Sequence, residues 1–219
     1  MPSARTSNAI SAAQFVPEGK DWAALRSASC ECRGCELYKD AKQTVFGEGP
    51  VPARLMMVGE QPGDKEDVEG HVFVGPAGRL LDKALAAVKI ARDEAYLTNA
   101  VKHFKFTERG KRRIHQQPRR SEVVACFPWL REEIRVVQPE LIVCLGAVAA
   151  KALLGSSFKL TEHRGEVLEQ DGLRIGVTVH PSAVLRAENW TEAYEAFVAD
   201  LKALKKSLQN GTTPGRLPR

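Results

Sequence analysis

The stretch from Arg109 to Arg120 holds six Lys/Arg and no acidic residue around a single imidazole, His115. The whole chain carries +5, so its basic character is concentrated here. Such a density suits a polyphosphate backbone, which releases counterions when lysine and arginine neutralise it. A solvated basic loop without a partner is the plain alternative. Lys111, Arg112 and Arg113 lead into Ile114 and His115, while Gly110 and Pro118 predict a loop rather than a helix or strand. His115 is the one nucleophile in the run. Like charge crowded around an imidazole leaves a ring lone pair available for attack.

Other positions also offer chemistry. Cys32 and Cys35, three apart on a turn with Gly34, can both reach one metal. That spacing recurs at zinc and iron–sulfur sites, while redox and structural readings stay open. Cys30 is a spare. Glu60 and Gln61 follow an apolar run and stand in the turn from Gly59 to Gly63. Ligands of α/β sheets bind beyond the carboxyl ends of strands, although an acid in such a turn is also an ordinary surface feature. Phe73 sits in a Gly-rich loop, where an aromatic either joins the core or stacks on a planar ligand. Asn99 interrupts an apolar run; a buried amide demands partners, and its donor and acceptor match the edge of a pyrimidine. His180 is another polar residue closing an apolar run.

These residues need a frame. Leu55–Glu60, Ala95–His103, Leu141–Gly146 and Arg174–His180 read as strands, the short apolar ones as buried parallel strands. Helices are expected from Asp21, over about 76–90 with a proline near its start, over about 121–138, and near 147–154. A last helix is capped by Asn189, with Glu192 three residues on, and Trp190, Tyr194, Phe197, Val198, Leu201 and Leu204 share its apolar face. Cys144 lies inside an apolar strand and reads as a core thiol. Alternating strands and helices predict an α/β fold, a three-layer α/β/α sandwich with a central four-stranded parallel sheet. The expected organisation is a disordered lead-in over 1–20, one domain over 21–209 and a disordered tail over 210–219.

At 219 residues, 43% hydrophobic and 27% charged, the chain can bury one core. It has no apolar run near the roughly 20 residues of a membrane span, and its first residues lack the apolar centre of a secretory signal. Five cysteines without an export signal favour thiols, metal or cluster ligation over disulfides. A pI near 9.0 is compatible with a nucleic-acid partner. The expected compartment is the cytoplasm.

Taken together, Cys32-x-x-Cys35, Gly59 to Gly63, Phe73 to Gly78, Thr98-Asn99-x-Val-Lys102, Cys126 with Trp129-Leu130, and His180 to Arg186 resemble the uracil-DNA glycosylase superfamily, in particular its iron–sulfur branch. Two departures stand out. A basic loop replaces a shorter Pro-rich segment, and His103 stands where the branch has cysteine. Gln61 and the run Lys111 to His115 resemble the UdgX-type subfamily, whose members become covalently joined to the DNA on which they act.

The resemblance implies a uracil-DNA glycosylase-like fold over about residues 30 to 205 and a role in DNA repair on uracil-containing DNA, single- or double-stranded, as a monomer. Gly59, Phe73 and Asn99 would contact the extruded uracil. Glu60 and Gln61 would line the pocket at the sugar, and His180 would hydrogen-bond the uracil oxygen where negative charge grows. Leu185 and Arg186 would fill the gap left by the flipped base, and Lys102, Lys111, Arg112 and Arg113 would hold DNA. Cys32, Cys35, Cys126 and His103 would ligate an iron–sulfur cluster of the 4Fe-4S type, with His103 preferred to Cys144 and zinc as the other metal. His115 would capture the sugar cation, with Glu60 orienting it or accepting its proton. The alternatives are an ordinary multiple-turnover glycosylase, a non-catalytic iron–sulfur DNA-binding module and a CxxC redox protein.

Overall fold

Both faces of the central sheet are covered, which is why its strands are apolar throughout instead of alternating. The structure, a computed structural model, describes residues 11–210. Helix α1 (Trp22–Ser29) leads to a cysteine-bearing loop and then to β1 (Leu55–Gly59), α2 (Asp64–Glu69), α3 (Pro76–Ala87) and β2 (Ala95–Asn99). A two-stranded ribbon follows, β3 (Phe106–Arg109) and β4 (Arg112–His115), and then α4 (Arg120–Val137), β5 (Leu141–Leu145) and α5 (Ala147–Leu154). The chain closes with β6 (Val167–Gln170), β7 (Leu173–Thr178), α6 (Pro181–Leu185) and α7 (Trp190–Asn210).

The sheet order is β2-β1-β5-β7-β6, with the first four strands parallel and β6 antiparallel at the edge. The expected four-stranded parallel core is there. The fifth strand was missed because β6 is half exposed and short, so its residues do not form an apolar run. Leu55 and Met57 pack with α3 and α7 on one face, Met56 and Val58 with α4 and α5 on the other. Within α7, Phe197, Leu201 and Leu204 are buried as expected, but Trp190 is exposed, stacked on Tyr194 at 5.0 Å beneath the Lys83 ammonium.

The lead-in needs correction. Ala12–Phe15 form a 3-10 turn capped by the Ser11 hydroxyl, and Ala12 is buried against Gly34, whose bare α-carbon allows the approach. The ordered domain therefore includes residues before 21. Residues 1–10 and 211–219, where the rest of the lead-in and nearly all of the tail were expected, lie outside the described residues; Asn210 ends α7. No helix among the described residues is long and apolar enough to cross a membrane.

Candidate active site

Strand order reverses beside β1, and the loops beyond the carboxyl ends of its neighbours open a crevice there, the usual ligand site of such sheets. Glu60 after β1, Asn99 at the end of β2, Gly146 after β5 and His180 after β7 all line one cleft of about 700 Å³. Gly59 does not itself line the cleft but lies behind Phe73 and Asn99, which do. A Cβ there would meet the Phe73 ring at 2.7 Å and the Asn99 side-chain oxygen closer still, so only glycine lets these two groups approach. Asn99 is buried, and no group among the described residues hydrogen-bonds its side-chain amide.

Phe73 is held at φ 54°, a left-handed conformation that costs a bulky residue energy and that surrounding structure must enforce. Arg92 supplies part of that restraint by donating to the carbonyls of Val72 at 2.7 Å and Phe73 at 3.3 Å. The Phe73 and His180 rings face each other at 6.4 Å with 29° between their planes. His180 Nδ1 accepts the backbone N–H of Ser182 at 3.2 Å and lies 2.8 Å from the Ser182 hydroxyl. Burial pushes the His180 pKa down to about 4 despite the nearby Glu60 carboxylate. The ring is therefore neutral near pH 7, and with Nδ1 accepting, the proton sits on Nε2. His180 is a donor.

The basic stretch is a hairpin rather than the expected loop, with Phe106 paired to His115 and Arg109 to Arg112. Its base is pinned by Gln61, whose amide donates to the carbonyls of Lys105 at 3.2 Å and Gln116 at 3.0 Å and accepts from the Lys105 N–H at 3.1 Å. Arg113 is bonded to Asp64 at 2.6 Å and to the buried Asp67, and its guanidinium lies over the Phe104 and Phe106 rings. Together these contacts set His115 at the rim of the cleft, with its Nε2 3.3 Å from Glu60 Oε1. The contact lacks hydrogen-bond geometry, and Oε1 is a buried oxygen without a hydrogen-bond partner among the described residues.

Several expectations change. Gln61 lines the cleft as expected, but its side-chain amide is bonded to the backbone at the base of the hairpin that carries His115. Lys102 is fully buried, with its ammonium bonded to Glu133, the Thr98 hydroxyl and the Asn99 carbonyl, so it cannot hold a phosphate. Arg113 anchors the hairpin to α2, and its charge is compensated there. Lys111, Arg112, Leu185 and Arg186 are exposed, the last two on the cleft rim. Asp64, Asp67 and Ser182 went unrecognised. The acidic cluster Asp64 to Asp67 facing a basic run was the available signal for the first two.

The thiols form a second group. Cys32, Cys35, Cys126 and Trp129 share one buried cluster, and Trp129 Nε1 donates to Cys32 Sγ at 3.1 Å. Burial pushes the Cys126 thiol up to about 12, and Cys35 and Cys32 add to the rise. Such thiols ionise only beside a strong positive charge, which a metal provides. His103 lines a cavity of about 210 Å³ with Cys30 and Cys32. Its Nε2 lies 2.9 Å from the Thr44 hydroxyl, which itself donates to the Ser29 carbonyl. Nε2 is then the donor, leaving Nδ1 with a lone pair. Cys144 sits in the other half of the core, on β5, and is excluded as a partner. No three His, Cys, Asp or Glu among the described residues converge on one ion position.

The profile described as the Uracil DNA glycosylase superfamily matches residues 46–204. The chain is 37% identical over 163 residues to a Type-4 uracil-DNA glycosylase of Pyrobaculum aerophilum, covering 71% of this chain and 80% of that one. It is 34% identical over 173 residues to the Type-4 uracil-DNA glycosylase of Archaeoglobus fulgidus (75% and 83% covered). A Type-4 uracil-DNA glycosylase of Thermotoga maritima is 35% identical over 158 residues, covering 71% and 79%.

Proposed function

Because the chain belongs to the uracil DNA glycosylase superfamily, we propose that it excises uracil from DNA and is then trapped on the abasic sugar through His115. A base inside a duplex is out of reach, so the target nucleotide enters the cleft flipped out or from a single strand, at an unstacking cost of a few kcal/mol. Phe73 takes the face of the pyrimidine and the Asn99 amide, which opens onto the cleft, takes its edge. As the bond from the sugar C1′ to the uracil N1 breaks, its electron pair moves onto the base. The His180 Nε2–H donates to the uracil oxygen where that charge collects; one such donor is worth about 2.7–4 kcal/mol. The sugar is left as a cation beside the Glu60 carboxylate.

The observation that carries the covalent step is the 3.3 Å approach of His115 Nε2 to the unpartnered Glu60 Oε1, at the cleft rim. An imidazole lone pair forms the N–C1′ bond, and the remaining ring proton passes to Glu60 or to solvent. A neutral substituted imidazole is a poor leaving group, so the protein acts once. His115→Ser removes the nucleophile and makes room for water. On a denaturing gel it should give no protein–DNA adduct while free uracil still appears; persistence of the adduct would place the nucleophile elsewhere. The Type-4 relatives favour a second reading, in which Glu60 orients water and turnover is multiple. Released uracil exceeding enzyme would select it.

Cys32, Cys35, Cys126 and His103 would hold a 4Fe-4S cluster. A zinc ion needs its donors within about 2.0–2.3 Å of one point. A cluster spreads its ligands over several irons, and Cys32, Cys35 and Cys126 share one buried region that His103 approaches beside Cys32. When bound it supplies the positive charge that keeps the thiolates ionised and cross-links α4 to the cysteine loop.

A further inference from the structure

A second groove runs away from the cleft between the start of α4 and the length of α5. It encloses about 500 Å³ and shares Gln117 and Val148 with the cleft. Its floor is apolar, from the half-buried Val123 and Phe127 and from Val124, which is 62% exposed. Arg120 and Lys151 stand along it, and among the described residues no acidic side chain lines it. An exposed apolar surface between two cations is what the backbone and bases of an unpaired strand require. Aromatic and apolar faces stack on bases without regard to sequence, and the cations track phosphates. Along α5 the groove continues for about 12 Å, enough for a short run of nucleotides. A duplex would instead need a surface that meets two strands at once.

We propose that this groove seats the nucleotides of a single DNA strand that flank the base held in the cleft. The proposal rests on the glycosylase reading for the location of that base, and it makes single-stranded DNA the favoured substrate. The phosphates lie against Arg120 and Lys151, and a flanking base rests on Phe127 and Val124. Continuity with the cleft and the uniform charge distinguish this occupant from an apolar segment of another protein, which gains nothing from two cations.

The test is fluorescence anisotropy with uracil-free thymidine oligonucleotides of about 4 and about 12 nucleotides. Val124→Glu and Lys151→Glu are exposed changes, and their melting temperatures should match the unaltered protein. Each should weaken binding of the longer strand by about tenfold and leave the shorter within about twofold. Lys151→Gln should also flatten the slope of log K against log salt by about 0.7. Unchanged binding of the longer strand in both variants would overturn the proposal and leave a protein segment as the occupant. Equal weakening at both lengths would also overturn it, because the effect would then lie in the cleft. Because these probes contain no uracil, the groove can be confirmed even if the protein yields no uracil-dependent product, an outcome that would count only against the glycosylase reading.

Discussion

A histidine serves as a donor in this cleft only because Ser182, two residues on, occupies its other nitrogen. His180→Ala removes that donor. Single-turnover excision should slow by about 10²–10³, and unchanged kinetics would take His180 out of the reaction. The same residue carries a pH signature. Its folded pKa of about 4 lies below the ordinary 6.5 because burial disfavours the charged ring. Between those values the unfolded chain binds more protons, so stability is fully present above about 6.5 and is lost as pH falls toward 4. Chemical denaturation at pH 7 and pH 4.5 should show that loss, and His180→Gln should reduce it by up to about 3 kcal/mol. His180 was legible as a candidate from its place after an apolar run. Its tautomer was not, because that depends on a turn geometry no spacing specifies.

The hairpin made of β3 and β4 is the element that gives His115 its place. Its eight strand residues are mostly exposed and show no apolar alternation, so Gly110 and Pro118 suggested a loop. What stabilises it is tertiary: the Gln61 amide at its base and Arg113 held by Asp64 and Asp67. Gln61→Ala should loosen the base and shift the sugar product from adduct to free abasic DNA, read as a fall in the ratio of cross-linked protein to released uracil. Excision itself should fall less, since Phe73, Asn99 and His180 are untouched. Arg113→Ala leaves the buried Asp67 without its cation and should cost about 3 kcal/mol of stability, measured by denaturant unfolding. An unaltered product ratio in both variants would mean that the hairpin holds its position by other contacts. The basic run thus divides by role, with Arg113 turned inward and Lys111 and Arg112 outward.

At the scale of the molecule, the thiol group joins segments far apart in sequence: the loop around Cys32 and Cys35, His103 after β2, and Cys126 in α4. Cys126→Ser should lower bound iron and acid-labile sulfide and reduce the melting temperature; full iron content would remove Cys126 from the ligand set. Lys102 and Glu133 form a buried pair between that group and Asn99. Glu133→Ala should therefore destabilise by about 3–5 kcal/mol. By itself the sequence determined the layered fold and most of the cleft. Apolar strands ending in Glu60, Asn99 and His180 follow from local hydrophobicity, and a parallel sheet brings strand ends together whatever the details. It also determined which thiols could pair, through their spacing. Only the tertiary structure decided that Lys102 and Arg113 are internal ties, that Gln61 is a brace, and that the residues after Ser11 belong to the domain. The reason is physical: a charged or amide side chain has the same identity in water and in the core, and its role is fixed by the partners that folding brings within about 3 Å.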